Sequence, residues 1–218
     1  ATVARASAEA GVGRLVHVSA LGADVDGNSK YARGKAAGEA AVRQAYPDAS
    51  IIRPATLFGP EDKFFNLFAA LAALSPVMPL LGGGHNLMQP VYVGDVAQGI
   101  AALLREGAVP GGTYELAGPQ VLSMAELMAM VCARTGRNRL LLPLPYALAK
   151  VEAFFLQLTP WKIVTVDQVE MLKADNVAGG GLPGLAELGV TPTALEAVLP
   201  SYLHRYRRAG RQPSVEQT

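Results

Sequence analysis

Apolar positions follow two rhythms along this chain. RLVHV at 14–18 and SIIR at 50–53 are short, nearly continuous apolar runs. They have the length and pattern of strands buried on both faces. Between them, residues 29–46 are Ala-rich and helical in spacing, with Ser29 as N-cap and Tyr46-Pro47 as stop. An earlier helix over VARASAEA ends at Gly11, and FFNLFAALAAL at 64–74 is an apolar helix stopped by Pro76. LMQPVYVGDVAQGIAALLREG reads as strand, turn and helix, and GGTYELAGP as a further strand. Then helices dominate. SMAELMAMVCARTG opens on Ser123 with Glu126 three later, a capping box. PLPYALAKVEAFFLQLTP, TVDQVEMLKAD and TPTALEAVLPSYLHRYRR follow, and AGRQPSVEQT is expected to be disordered.

Alternation of strand and helix with short connections implies parallel βαβ units. The expected fold is α/β: an incomplete Rossmann-type, doubly wound parallel sheet with a small, mostly helical C-terminal domain. Residues 1–105 form the sheet domain, with 59–88 as an inserted loop and helix. Residues 106–204 form the helical domain, and 205–218 a basic, disordered tail.

Composition narrows the class. Half of the 218 residues are hydrophobic and 17% are charged, enough for a core and too apolar for global disorder. A net charge of +1 argues against a general nucleic-acid binder. The single cysteine, Cys132, excludes an internal disulfide and reads as core filling in a reducing compartment. No apolar run approaches the roughly 20 residues of a spanning helix, and the opening stretch lacks the apolar segment of a secretory signal. His17, His85 and His204 have no metal-ligand spacing, so no metal site is expected. No G-x-S-x-G elbow points to a hydrolase.

The candidate chemistry lies in SKYARGKAAGE. Tyr31 and Lys35 stand four apart, on one helical face. A lysine beside a tyrosine lowers the phenol's pKa and makes it usable as a general acid or base; the same spacing also suits an ordinary solvated face. Context favours chemistry. The helix follows a strand ending at Ser19, and the next strand ends at Pro54-Ala55. Ligands of open α/β sheets bind beyond the carboxyl ends of strands, so these residues are expected to converge on one crevice. Asp62 reads as the cap of the 64–74 helix, although Glu61 and Asp62 could also face a substrate. Asp95 reads as the cap of the helix after VYVG. YALAKVEAFFLQL is either core or a partner- or membrane-facing helix. Arg205, Arg207, Arg208 and Arg211 form a basic cluster near the C-terminus, solvated or facing acidic subunits or anionic lipid.

VHVSALGA, SKYARGKAAGE, IIRPATLFGPEDKFFN and MQPVYVGDVAQGI together resemble the short-chain dehydrogenase/reductase superfamily, in its extended or atypical branch. With LPGLAELGVTPTALE, the resemblance narrows to the NADPH-binding accessory-subunit family of respiratory complex I, over roughly residues 3–205. It implies a Rossmann-type fold and a bound nicotinamide nucleotide, NADP or NAD. Ser19, Tyr31, Lys35, Pro54 and Ala55 would lie at the nucleotide, with Tyr31, Lys35 and Ser19 in the catalytic positions. It also implies partner subunits of a respiratory complex, and a place at the inner face of a bacterial plasma membrane or on the matrix side of the mitochondrial one, within reach of the membrane surface.

Two features depart from the family pattern. No G-x-x-G-x-x-G turn joins a strand to a helix, so the chain is expected to be the C-terminal part of a longer protein. Ser19 stands only twelve residues before Tyr31, closer than the superfamily's catalytic hydroxyl, and Ala20 follows it. The expected function is therefore a nucleotide-binding structural or assembly subunit of a respiratory NADH:quinone oxidoreductase, without turnover. By itself the chain is expected to hold a nicotinamide nucleotide weakly or not at all. The alternative is an NAD(P)-dependent epimerase, dehydratase or reductase.

Overall fold

The computed structural model describes residues 1–106, 110–156 and 165–207. In chain order its elements are α1 (Thr2–Glu9), β1 (Val16–Val18), α2 (Lys30–Ala45), β2 (Ser50–Pro54), β3 (Leu57–Phe58), α3 (Phe64–Leu74), β4 (Val77–Leu81), β5 (Leu87–Met88), β6 (Val91–Tyr92) and α4 (Val93–Leu104). There follow β7 (Thr113–Leu116), β8 (Leu122–Ser123), α5 (Met124–Arg134), β9 (Leu140–Leu144), α6 (Tyr146–Leu156), α7 (Val166–Met171) and α8 (Leu195–Leu203), with a 3-10 turn over His204–Tyr206.

The main sheet has the order β1-β2-β7, all parallel. The expected α/β architecture is thus present, with α2 as the β1–β2 crossover. β7 comes from beyond residue 105, so the sheet draws on both sides of the expected domain boundary. β1 was expected to be fully buried, yet Val18 is 45% exposed. The reason is position: β1 is an edge strand, with a neighbour on one side only.

Register sorts the sheet's residues onto two faces. Val18 pairs with Ile52, and Ile52 with Tyr114. That face is apolar: Ile52 and Leu116 pack with Val96 and Leu103 of α4 and with Leu185 and Val190. Gly99 of α4 is buried against this face, and a Cβ there would meet Leu188 and Leu116 at ordinary contact distance, 3.4 and 3.5 Å. The other face, beneath α2, carries His17, Arg53 and Glu115, with Ser19 continuing β1's alternation.

The remaining chain builds a second, larger core. Phe58, Phe65, Met78, Met124, Leu127, Leu195 and Leu199 are buried together, drawn from β3, α3, β4, α5 and α8. Cys132 fills space there, its sulfur 3.5 Å from that of Met78. Two short pairs frame this part, β4 with β9 in parallel and β5 with β8 antiparallel. The capping box at Ser123 and Glu126 opens α5 as expected, and Ser29 caps α2 by accepting from the Ala32 amide. The end of the 143–160 segment, Arg208, Arg211 and most of the expected tail lie outside the described residues. Of the expected basic cluster, Arg205 is exposed and Arg207 half-buried, and both bond backbone carbonyls. Arg205 donates to the carbonyls of Tyr202 and Pro60, and Arg207 to that of Arg134. Among the described residues, no helix is long and apolar enough to cross a membrane.

Candidate functional site

Tyr31 and Lys35 occupy one face of α2, with the Lys35 ammonium 5.6 Å from the Tyr31 ring centroid. Lys35 Nζ also donates to the Val18 carbonyl at 3.3 Å, docking this face onto the end of β1. Ser19 is the next residue. Its amide donates to Ile52, that of Leu21 to Pro54, and that of Ala55 to Leu116. The hydrogen-bond ladder therefore carries Ser19, Pro54 and Ala55 to the same end of the sheet. Side chains alternate along each strand, so Pro54 shares the apolar face with Ile52 while Ser19 faces α2. Tyr31, Lys35 and Ser19 thus gather on one side of the sheet, and Pro54 does not join them there.

The expected tuning of Tyr31 is reversed. Burial pushes its phenol above the ordinary value of 10.0. The nearby ammonium sits over the ring face and shares itself with the Val18 carbonyl, which does not offset the loss of hydration around the phenolate. At neutral pH Tyr31 is a protonated hydrogen-bond donor.

Glu39 and Arg53 belong to the same site and were missed in the sequence. Arg53 Nε and Nη2 bond the two Glu39 carboxylate oxygens at 2.8 and 2.7 Å. Burial alone would raise the Glu39 carboxyl. The bond from Arg53, the nearby Ser19 hydroxyl and the charges of Arg53 and Arg43 outweigh it and hold Glu39 below its ordinary value. The usable signals were an arginine in an otherwise apolar strand and a glutamate one turn beyond Lys35. Beside this pair, His17 Nε2 is buried without a hydrogen-bond partner. Burial and then the Lys35 charge lower the His17 pKa, against the opposing pull of Glu39, so His17 is neutral at pH 7.

The N-terminus of α2 is closed from a distance. No acidic residue lies in its own first turn. Instead Asp167, at the start of α7, accepts from the amides of Lys30 and Tyr31 at 2.7 and 3.2 Å. A carboxylate already occupies the anion position that a helix N-terminus offers.

The other carboxylates divide. Asp62 caps α3 as expected, accepting from the Phe65 amide at 2.5 Å, and it also accepts from the Tyr202 hydroxyl at 2.6 Å. Burial, then this bond to Asp62, pushes the Tyr202 phenol far above its usual value. Glu61 stays exposed. Asp95 corrects the expectation. It is buried and does not cap α4; it binds the Thr193 amide and hydroxyl at 2.6 and 2.9 Å, tying the approach to α8 onto α4. The Gly82–Gly84 turn lies between β4 and β5 rather than between a strand and a helix. Among the described residues no group of three or more His, Cys, Asp or Glu could hold a metal ion.

The donors at the strand ends suit a sugar's hydroxyls. Lys35 retains hydrogens beyond the one given to Val18, and Tyr31, 42% exposed, offers a phenol beside it. These residues fit the ribose of a nicotinamide nucleotide. No strand–glycine turn–helix among the described residues would hold its pyrophosphate.

Parallel strands, crossover helices and a Tyr-x-x-x-Lys helix docked on the first strand place the fold in the Rossmann-type class of short-chain dehydrogenases. Residues 23–154 match the RmlD substrate binding domain, and the chain belongs to that family. It is 38% identical over 206 residues to the rat (Rattus norvegicus) NADH dehydrogenase [ubiquinone] 1 alpha subcomplex subunit 9, mitochondrial, covering 94% of this chain and 55% of that one. The subunit of the same name from Arabidopsis thaliana is 35% identical over 210 residues, 92% of this chain and 52% of that one. The chain thus spans about half the length of these relatives. In fold it resembles DesIV, a dTDP-glucose 4,6-dehydratase from Streptomyces venezuelae with NAD and TYD bound. The TM-score is 0.66 at 22% identity, over 96% of this chain and 66% of that one.

Proposed function

We infer that this chain belongs to a nucleotide-binding accessory subunit of a respiratory NADH:quinone oxidoreductase, in which the nucleotide is held for structure rather than turned over. The observation that carries this reading is the 38% identity, along 94% of the chain, to a protein named as an alpha subcomplex subunit of NADH dehydrogenase [ubiquinone]. The site supports it. Lys35 is committed in part to backbone, Tyr31 is raised rather than lowered in pKa, and Ser19 is buried beneath α2. This arrangement suits holding ribose hydroxyls better than moving protons. The nucleotide is a nicotinamide dinucleotide, NADP or NAD. The alternative, an NAD(P)-dependent epimerase, dehydratase or reductase, has weaker support, chiefly likeness of fold.

Partner subunits would meet the outward apolar faces of β9 and α6. Leu140 is 63% exposed and Leu142 50%, while Leu148 and Val151 are each 56% exposed. Ala149 and Ala153 of α6 pack inward. The helix is therefore apolar on both sides, the pattern of a surface that meets a partner or a membrane. The corresponding location is the inner face of a bacterial plasma membrane or the matrix side of the mitochondrial one.

The test is native electrophoresis of gently solubilised membranes from the host carrying a tagged copy of the protein. Comigration of the tag with NADH:quinone oxidoreductase activity is expected. A tag migrating alone, with its own NADPH-dependent reduction of a carbonyl compound, would overturn the reading.

A further inference from the structure

A cavity of about 1000 Å³ opens between α3, the β4–β9 pair, α6 and α7. Phe64, Phe68, Leu81, Leu144 and Leu172 are among its walls. Ala149 and Ala153, one turn apart on α6, are buried small residues that also face it. None of Ser19, Tyr31, Lys35 or Pro54 lines this space. Ligand clefts run to roughly 300–1,000 Å³. Apolar space of this kind is poorly served by water.

The polar lining is nearly all committed. Asn176 Oδ1 accepts from both the amide and the hydroxyl of Thr56. The Asp62 carboxylate is taken by the first amides of α3 and by Tyr202. Lys63 is the one cation among the described lining residues, and it is exposed. Along α3 the lining runs from Lys63 and Asn66 at the N-terminal end to Phe68 and Leu71 further on, a polar-to-apolar gradient over roughly two turns. One cation and an apolar interior suit a molecule with a single negative head and a long hydrocarbon chain. A sugar diphosphate would find, among the described lining residues, one cation for its several charges.

We propose that this cavity binds an anionic single-chain amphiphile, its acyl chain lying among Phe64, Phe68, Leu81 and Leu144 and its head at Lys63. The two sources of such a molecule are a free fatty acid and a lysophospholipid.

The test is calorimetric titration of the delipidated, full-length protein with hexadecanoate, octanoate, hexadecanol, lysophosphatidylglycerol and dTDP-glucose. Each buried methylene contributes about threefold to fourfold in affinity, so hexadecanoate is expected to bind at one site at least tenfold more tightly than octanoate. Lys63→Glu should weaken hexadecanoate several-fold and leave hexadecanol within twofold. Ala153→Phe should abolish binding by filling the space; where that variant fails to fold, the exposed Lys63→Glu and the chain-length series decide. Tighter binding of lysophosphatidylglycerol than of hexadecanoate would support the proposal with a lipid as source, and the reverse order with a free fatty acid. Equal affinity for the two chain lengths, an unchanged affinity in Lys63→Glu, or displacement of hexadecanoate by dTDP-glucose would overturn it. These readouts do not depend on assembly into a respiratory complex, so their failure and that of the subunit reading are separable.

Discussion

Arg53 grips both carboxylate oxygens of Glu39 across the gap between β2 and α2, at 2.8 and 2.7 Å. This pair holds the helix that carries Tyr31 and Lys35 against the sheet. Glu115, Arg53's neighbour on β7 in the parallel register, extends the charge row and favours the cationic guanidinium.

Removing one member of a mostly desolvated ion pair strands the other. The Arg53 side chain is 25% exposed and that of Glu39 8%, so Glu39→Gln or Arg53→Met should each cost about 2–4 kcal/mol in denaturant unfolding, somewhat below the cost of breaking a fully buried pair. The double variant Glu39→Leu, Arg53→Met should recover much of that loss. A double variant as unstable as the sum of the singles would show that the pair contributes nothing as a pair.

Acid should weaken the fold in two windows. His17 has a folded pKa below its ordinary 6.5, so the unfolded chain binds the proton first as pH falls. Its contribution is present above about pH 6.5 and is lost as pH drops through the folded value. Glu39 is likewise held below its ordinary 4.5, and its contribution is lost at lower pH still. Thermal melts from pH 8 to 3 should show both declines. His17→Phe should flatten the first and Glu39→Gln the second; a variant retaining its decline would place the titration elsewhere.

Asp167 adds to the Ser29 cap of α2 by accepting from two further amides, those of Lys30 and Tyr31. Asp167→Ala should cost about 0.5–2 kcal/mol, the range for loss of a helix cap. Hydrogen exchange would localise the effect, with the Lys30 and Tyr31 amides exchanging faster. Unchanged protection of those two amides would contradict the contact.

Two glycines should respond in opposite directions. A Cβ at Gly118 would lie 1.9 Å from the Pro90 carbonyl oxygen, a backbone atom that cannot swing aside. Gly118→Ala should therefore destabilise the protein by about 1–3 kcal/mol or more. Gly34, exposed in the middle of α2, meets nothing within 4 Å. Gly34→Ala should stabilise by about 0.5–1 kcal/mol through higher helix propensity. Matching effects at the two positions would be inconsistent with this packing.

The Tyr31 phenol should ionise above pH 10, because burial raises it from 10.0. Ultraviolet difference titration of the protein against Tyr31→Phe isolates that one phenol. Phenolate appearing below pH 10 would show that Lys35 prevails over burial, and would restore an acid–base role to the pair.

Local rules made much of this fold legible in the sequence. The Ser29 cap, the Ser123–Glu126 capping box, Asp62 at the head of α3 and the Pro76 stop each act within four residues of chain, where capping geometry and proline sterics decide the outcome. The apolar runs of β1 and β2 and the helical spacing between them likewise implied a parallel unit with Tyr31 and Lys35 on one face. Contacts between distant segments were decided only by the tertiary structure. Asp167 reaches α2 across 136 residues, Asp95 reaches Thr193 across 98, and β9 pairs with β4 to close the apolar cavity. Nothing in the spacing of a lone aspartate tells whether it caps its own helix or another's, because both positions satisfy the same hydrogen-bonding need. The direction of the Tyr31 shift was also a matter of tertiary structure. It depends on how much water the fold removes from the phenol and where it places the Lys35 ammonium, and the four-residue spacing fixes neither.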